Sequence, residues 1–183
     1  MRKLVCPPGL ETIGINLSAF YDNLQGENTK PVMEKHGVMN IDPQKWYPAQ
    51  KLLDALNELS DMPDFMGNMV AIGKKIGEIT PIPPEISEKP TLPQVLNIWD
   101  GLYQYLHRNG DAGQIVIEKV SDSHYRTGHS VLYPDDLSYG VAYAFARRFL
   151  PPKTGFKVYY DTEHPIRDYG GAGEFSYIHI KWD

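Results

Sequence analysis

Apolar residues recur at helical spacing up to about residue 110. Beyond it, short β-branched and aromatic runs alternate with turn residues. Leu17, Phe20, Tyr21 and Leu24 predict a first helix, with Asn16 or Ser18 as its cap and Gly26 as its end. A short second segment starts at Pro31 and stops at His36-Gly37, where glycine suits a left-handed cap. Leu52, Leu53, Leu56 and Leu59 form one stripe of a helix over 49–60, opened by Pro48 and broken at Asp61-Met62-Pro63. Phe65, Met69, Ile72, Ile76 and Ile79 mark the next helix. It contains Gly67, Gly73 and Gly77, each costing ~1 kcal/mol relative to Ala, and close packing against a neighbour is the simplest reason for them. Five prolines between 80 and 93 forbid a regular helix and predict an extended connector. Leu96, Trp99, Leu102, Tyr103 and Leu106 then predict a helix over 92–107.

The second half reads as strands over 114–120 and 124–132, a helix from Pro134 to Phe149, and strands over 156–160 and 175–182. The last two can pair as a hairpin across the loop 161–173. Segregated elements of this kind predict an α+β fold: a helical N-terminal half packed on a short antiparallel sheet, with β-β-α-β-β order in the C-terminal half. The length of 183 residues suits one domain, with a helical part at 1–79, the connector at 80–93, and a helix plus antiparallel unit at 94–183.

Composition narrows the class. Hydrophobic residues at 42% and charged residues at 22% exclude global disorder. A net charge of −5 without a long Lys/Arg cluster argues against nucleic acid as the main partner. The single cysteine, Cys6, permits neither an internal disulfide nor a cysteine-rich zinc site. No apolar run is long enough to span a membrane, and the short N-terminal apolar run is no signal peptide, so a cytoplasmic location is expected.

The common nucleotide-binding, metalloprotease and serine-hydrolase motifs are missing. The densest polar run is 121–130, which holds His124, Tyr125, Arg126 and His129. Strand alternation puts His124 and His129 on opposite faces, so one metal could not join them without a bulge. As an enzyme, the chain would use His124, His129 and Asp122 or Asp135 as an acid/base cluster. As a protein-interaction module, it would show a filled core and an exposed aromatic patch around Tyr159, Tyr160 and Tyr169. Twelve tyrosines suit either a core or a semi-polar pocket.

The segment from Leu92 to Trp182 resembles the superfamily of haem-NO-binding and 4-vinyl-reductase-like domains. A helix, a break at 107–113, a strand, Tyr125-x-Thr127, a helix with Gly140 and two terminal strands carry the likeness. The resemblance implies a small-molecule or gas-binding sensory domain, acting with a signalling protein partner or as a homodimer. It also implies a pocket between the helical layer and the sheet. Haem-binding members carry Tyr-x-Ser-x-Arg; the matching stretch here is Tyr125-x-Thr127-x-His129, without the arginine. His107 is the upstream candidate for an iron ligand, and the cysteines of the vinyl-reductase-like members are missing near the final strands. The cofactor therefore stays open between haem and none. The expected pocket residues are Tyr103, His107, His124, Tyr125, Arg126 and Tyr143, with Trp99 as an apolar wall. The helices bearing Trp99 and Tyr143 must both face the sheet.

Overall fold

The computed structural model describes every residue except Gln25. The N-terminal half holds helices α1 (Gly14–Asn23), α2 (Lys30–Lys35), α3 (Gln50–Leu59) and α4 (Phe65–Ile79). Helix α5 (Leu92–Gln104) leads into the second half, where α6 (Asp135–Phe149) covers the sheet. That sheet is antiparallel. Its order is β4 (Ile115–Ser121), β5 (His124–His129), β7 (Ser176–Trp182) and β6 (Phe156–Tyr160). The fold is α+β, with β-β-α-β-β order in the C-terminal half.

Three short strands were not evident from the sequence pattern. β1 (Glu11–Ile13) pairs antiparallel with β2 (Trp46–Pro48) and with β3 (His107–Arg108). Two or three residues are too few to show an alternating period. Consequently α5 ends at Gln104, three residues before His107, and His107 lies on β3. Helix α1 also starts earlier than expected, with Ile13 at its cap, which places Asn16 inside the helix and buried.

Helices α4 and α6 cross very closely, and glycines permit it. A Cβ at Gly73 would run into the carbonyl oxygen of Leu137, and one at Gly140 into that of Val70. Gly77 faces the Cβ of Ala144, whereas a Cβ at Gly67 would have nothing within 4 Å among the described residues. Because the obstructing atoms at Gly73 are backbone, a methyl group there must push the helices apart. Gly73→Ala is expected to cost about 1–3 kcal/mol despite its better helix propensity, read by urea denaturation. Gly67→Ala is the control and should be neutral or stabilising.

One buried apolar cluster runs from Leu4 through the helices to Ile178 and Ile180. The N-terminal segment straps across both halves. The Leu4 backbone exchanges two 2.8 Å hydrogen bonds with the Asn57 side chain of α3. Arg2 donates to the carbonyls of Val131 and Tyr133 and lies 3.0 Å from Asp168, an ion pair too far off line to be a hydrogen bond. No helix among the described residues is long and apolar enough to cross a membrane.

Candidate functional site

The inner face of the C-terminal sheet carries Tyr125, Thr127, His129, Ser176, Ile178 and Ile180, all buried. Helix α5 brings Trp99 and Tyr103 towards this face. Trp99 packs edge-on against His129 at 4.9 Å and against Phe145 of α6 at 5.2 Å. Tyr103 lies 4.6 Å from the His107 ring. These contacts form an aromatic–histidine interior at the junction of α5, α6 and the sheet.

A chain of polar groups runs through it. His107 Nδ1 bonds the Tyr103 carbonyl at 2.9 Å, so this nitrogen carries the proton. Burial lowers the His107 pKa and keeps the ring neutral, while the bond to the Tyr103 carbonyl acts in the other direction. Its Nε2 then accepts from the Tyr133 hydroxyl at 2.8 Å. Tyr133 in turn accepts from Asn16 at 2.6 Å, and Asn16 also donates to Thr12. The Tyr103 hydroxyl donates to the Ala112 carbonyl and accepts from the Leu132 amide. Both nitrogens of His107 are thus engaged.

His129 differs. It is fully buried, and burial first, then the charge of Arg167, hold its pKa down to about 3. The ring is neutral at ordinary pH. Nε2 lies 2.8 Å from the Thr127 hydroxyl, which lies 3.2 Å from the Ile178 carbonyl. If Thr127 donates to that carbonyl, it accepts from Nε2–H and leaves Nδ1 as a bare acceptor. The opposite tautomer would bury an unpaired N–H, so the first arrangement is favoured. Either way, Nδ1 has no hydrogen-bond partner among the described residues.

The other expected pocket residues lie elsewhere. Tyr125 faces inward but stacks on Trp182 at 5.8 Å. His124 and Arg126 alternate with it and point to the outer face of the sheet. There His124 lies 2.8 Å from His179, which lies 2.9 Å from Asp161. Arg126 pairs with Glu118 and covers the Tyr177 ring. Tyr143 packs on Phe156 under Lys74. Trp99, Tyr103 and His107 are therefore together, and the remaining four are dispersed. The acid/base set is dispersed too: Asp122 pairs with Lys119 and Asp135 with Arg167, while His124 and His129 bond His179 and Thr127.

Thr12, Asn16 and Tyr133 were missed at the level of sequence. Asn16 and Tyr133 lie 117 positions apart, and no local pattern connects them. An open polar cleft of about 490 Å³ lies beside the interior, with Asp100, Gln104, Gly113 and Ser130 among its walls. Asp100 follows Trp99 in the chain, and Ser130 follows His129. A second open cleft of about 260 Å³ lies by Cys6 and Pro48.

Comparisons place this architecture. No family model matches the chain, and no curated protein does. Solved structures do match. A single-site variant of Tt H-NOX is 15% identical, with a TM-score of 0.64 over 93% of this chain and 95% of that one. A mutant of T. tengcongensis H-NOX is 14% identical, with a TM-score of 0.65 over 93% and 97%. An oxygen-binding H-NOX domain related to soluble guanylate cyclases is 14% identical, with a TM-score of 0.63 over 93% and 94%. At such identity the likeness speaks for the backbone alone: the chain has an H-NOX-like fold.

Proposed function

We propose that the protein is a sensory or regulatory domain that binds a small molecule, without haem, in the interior between α5, α6 and the sheet. The observation that carries this reading is the unpaired Nδ1 of His129 in an aromatic surround. A buried polar atom without a partner is uncommon in a folded protein and costs about 1–3 kcal/mol. A small ligand that donates one hydrogen bond would satisfy it.

Haem is implied by the fold, since two similar structures are described by haem distortion in the H-NOX family and by haem redox potential. The residues present do not fit it. Trp99, Phe145 and His129 are in ring contact across the space between α5, α6 and the sheet. His107 has both nitrogens engaged, and the propionate-gripping arginine is replaced by the neutral His129.

Native mass and absorption spectra, taken before and after adding haemin, test the reading. The expected result is no Soret band, together with a small colourless adduct in the native mass spectrum. A stoichiometric Soret band abolished by His107→Ala would overturn the haem-free assignment. A second reading, a protein-interaction module without a small ligand, is favoured by the packed core and by Tyr159 and Tyr169 at 38% and 58% exposure. A clean apo mass would leave that one standing.

A further inference from the structure

We propose that Trp99 fills the ligand site of this chain, and that the ligand is a flat aromatic molecule carrying a ring N–H or O–H donor. The inference rests on the small-molecule reading above and names the ligand class for the same site.

The indole of Trp99 already occupies the position such a ligand would take. It stands edge-on to the His129 ring and edge-on to Phe145. The surround is therefore shaped for a flat aromatic body. The bare Nδ1 of His129 adds a demand that no side chain among the described residues meets. A neutral acceptor calls for a donor, and a charged ligand would have to surrender its hydration in an apolar space.

Two features next to Trp99 bear on how a ligand could replace it. The polar cleft is walled by Asp100 and Ser130, the residues that follow Trp99 and His129. Gly101 lies inside α5, where glycine weakens the helix. Among the described residues nothing lies within 4 Å of where its Cβ would be, so close packing does not require it.

The test uses full-length Trp99→Ala with indole and with indene, its hydrocarbon counterpart lacking the donor. Melting temperature and the His129 imidazole nitrogen shift are the readouts. Indole at tenfold over its Kd should raise the melting temperature of the variant by roughly 3–6 °C. It should bind at least tenfold more tightly than indene, and the preference should vanish in Trp99→Ala/His129→Leu. Wild type should bind indole far more weakly, because its own tryptophan competes. Equal binding of indole and indene would make the space a plain apolar hole and overturn the donor assignment. It would leave the small-molecule reading intact. If folded Trp99→Ala binds neither compound, Trp99 does not fill a ligand site; an adduct on wild type would still preserve the broader reading. If Trp99→Ala fails to fold, Trp99→Leu keeps part of the apolar volume and vacates the outer part of the indole, and pyrrole against furan repeats the comparison.

Discussion

Asp135→Ala is expected to lower stability by about 3–5 kcal/mol, among the largest losses from any single substitution in this chain. Asp135 is fully buried at the start of α6. Its Oδ1 accepts from Arg167 Nε at 3.2 Å and from Nη2, and its Oδ2 accepts from the Ser176 hydroxyl at 2.7 Å and the Asp168 amide at 3.1 Å. The Asp168 carboxylate returns the contact, accepting from the Asp135 amide at 2.6 Å, and pairs with Arg2. Two cations and two anions thus join the N-terminal strap, the start of α6 and the loop before β7. Removing Asp135 leaves a mostly buried guanidinium beside Arg2 with too few anions. Such a stranded charge costs far more than the intact pair contributes. Asp135→Asn keeps the shape and some acceptors, so it should lose less. In a double-mutant cycle, Asp135→Ala/Arg167→Leu should lose less than the sum of its singles. Urea denaturation at pH 7 gives all four values. A loss under about 1 kcal/mol for Asp135→Ala would mean that water screens the cluster.

The second large effect is acid instability centred on His129. Its pKa in the fold, about 3, lies below the ordinary 6.5 because burial, and then Arg167, disfavour the charged ring. Folding therefore favours the neutral form. The contribution is complete above the unfolded value near 6.5 and is lost as pH falls from there towards about 3. The full loss is roughly 4–5 kcal/mol. His107 is shifted in the same direction by burial and adds to the same window. Asp161 contributes at lower pH: burial alone would raise its pKa, but hydrogen bonds from His179, His164 and two backbone amides hold it below the ordinary carboxylate value. Stability should be flat above pH 7 and fall steeply below pH 6. His129→Phe keeps a ring against Trp99 and removes the titration, so its profile should be shallower between pH 6 and 3. Parallel profiles for the two proteins would show that His129 does not drive the acid transition.

The periodic parts of this molecule were legible in the chain. The leucine stripe of α3, the apolar spacing of α4 to α6 and the alternation of β7 each repeat within a few residues, so local pattern reports which face is buried. Gly73 was legible as a sign of close packing, but not its partner, since the Leu137 carbonyl lies far away in the chain. The strands β1, β2 and β3 were not legible, because each is stabilised by pairing across the chain and not by its own pattern. The same limit governed the site. Residues 124–126 are adjacent in sequence, yet strand geometry sends His124 and Arg126 outward and Tyr125 inward. Thr12, Asn16, His107 and Tyr133 are scattered in sequence, and the fold joins them in one hydrogen-bonded chain. Local periodicity determined the elements and their buried faces. Only tertiary structure decided which polar atoms share the interior, because a buried donor must find whichever acceptor the packing brings near, at any separation along the chain.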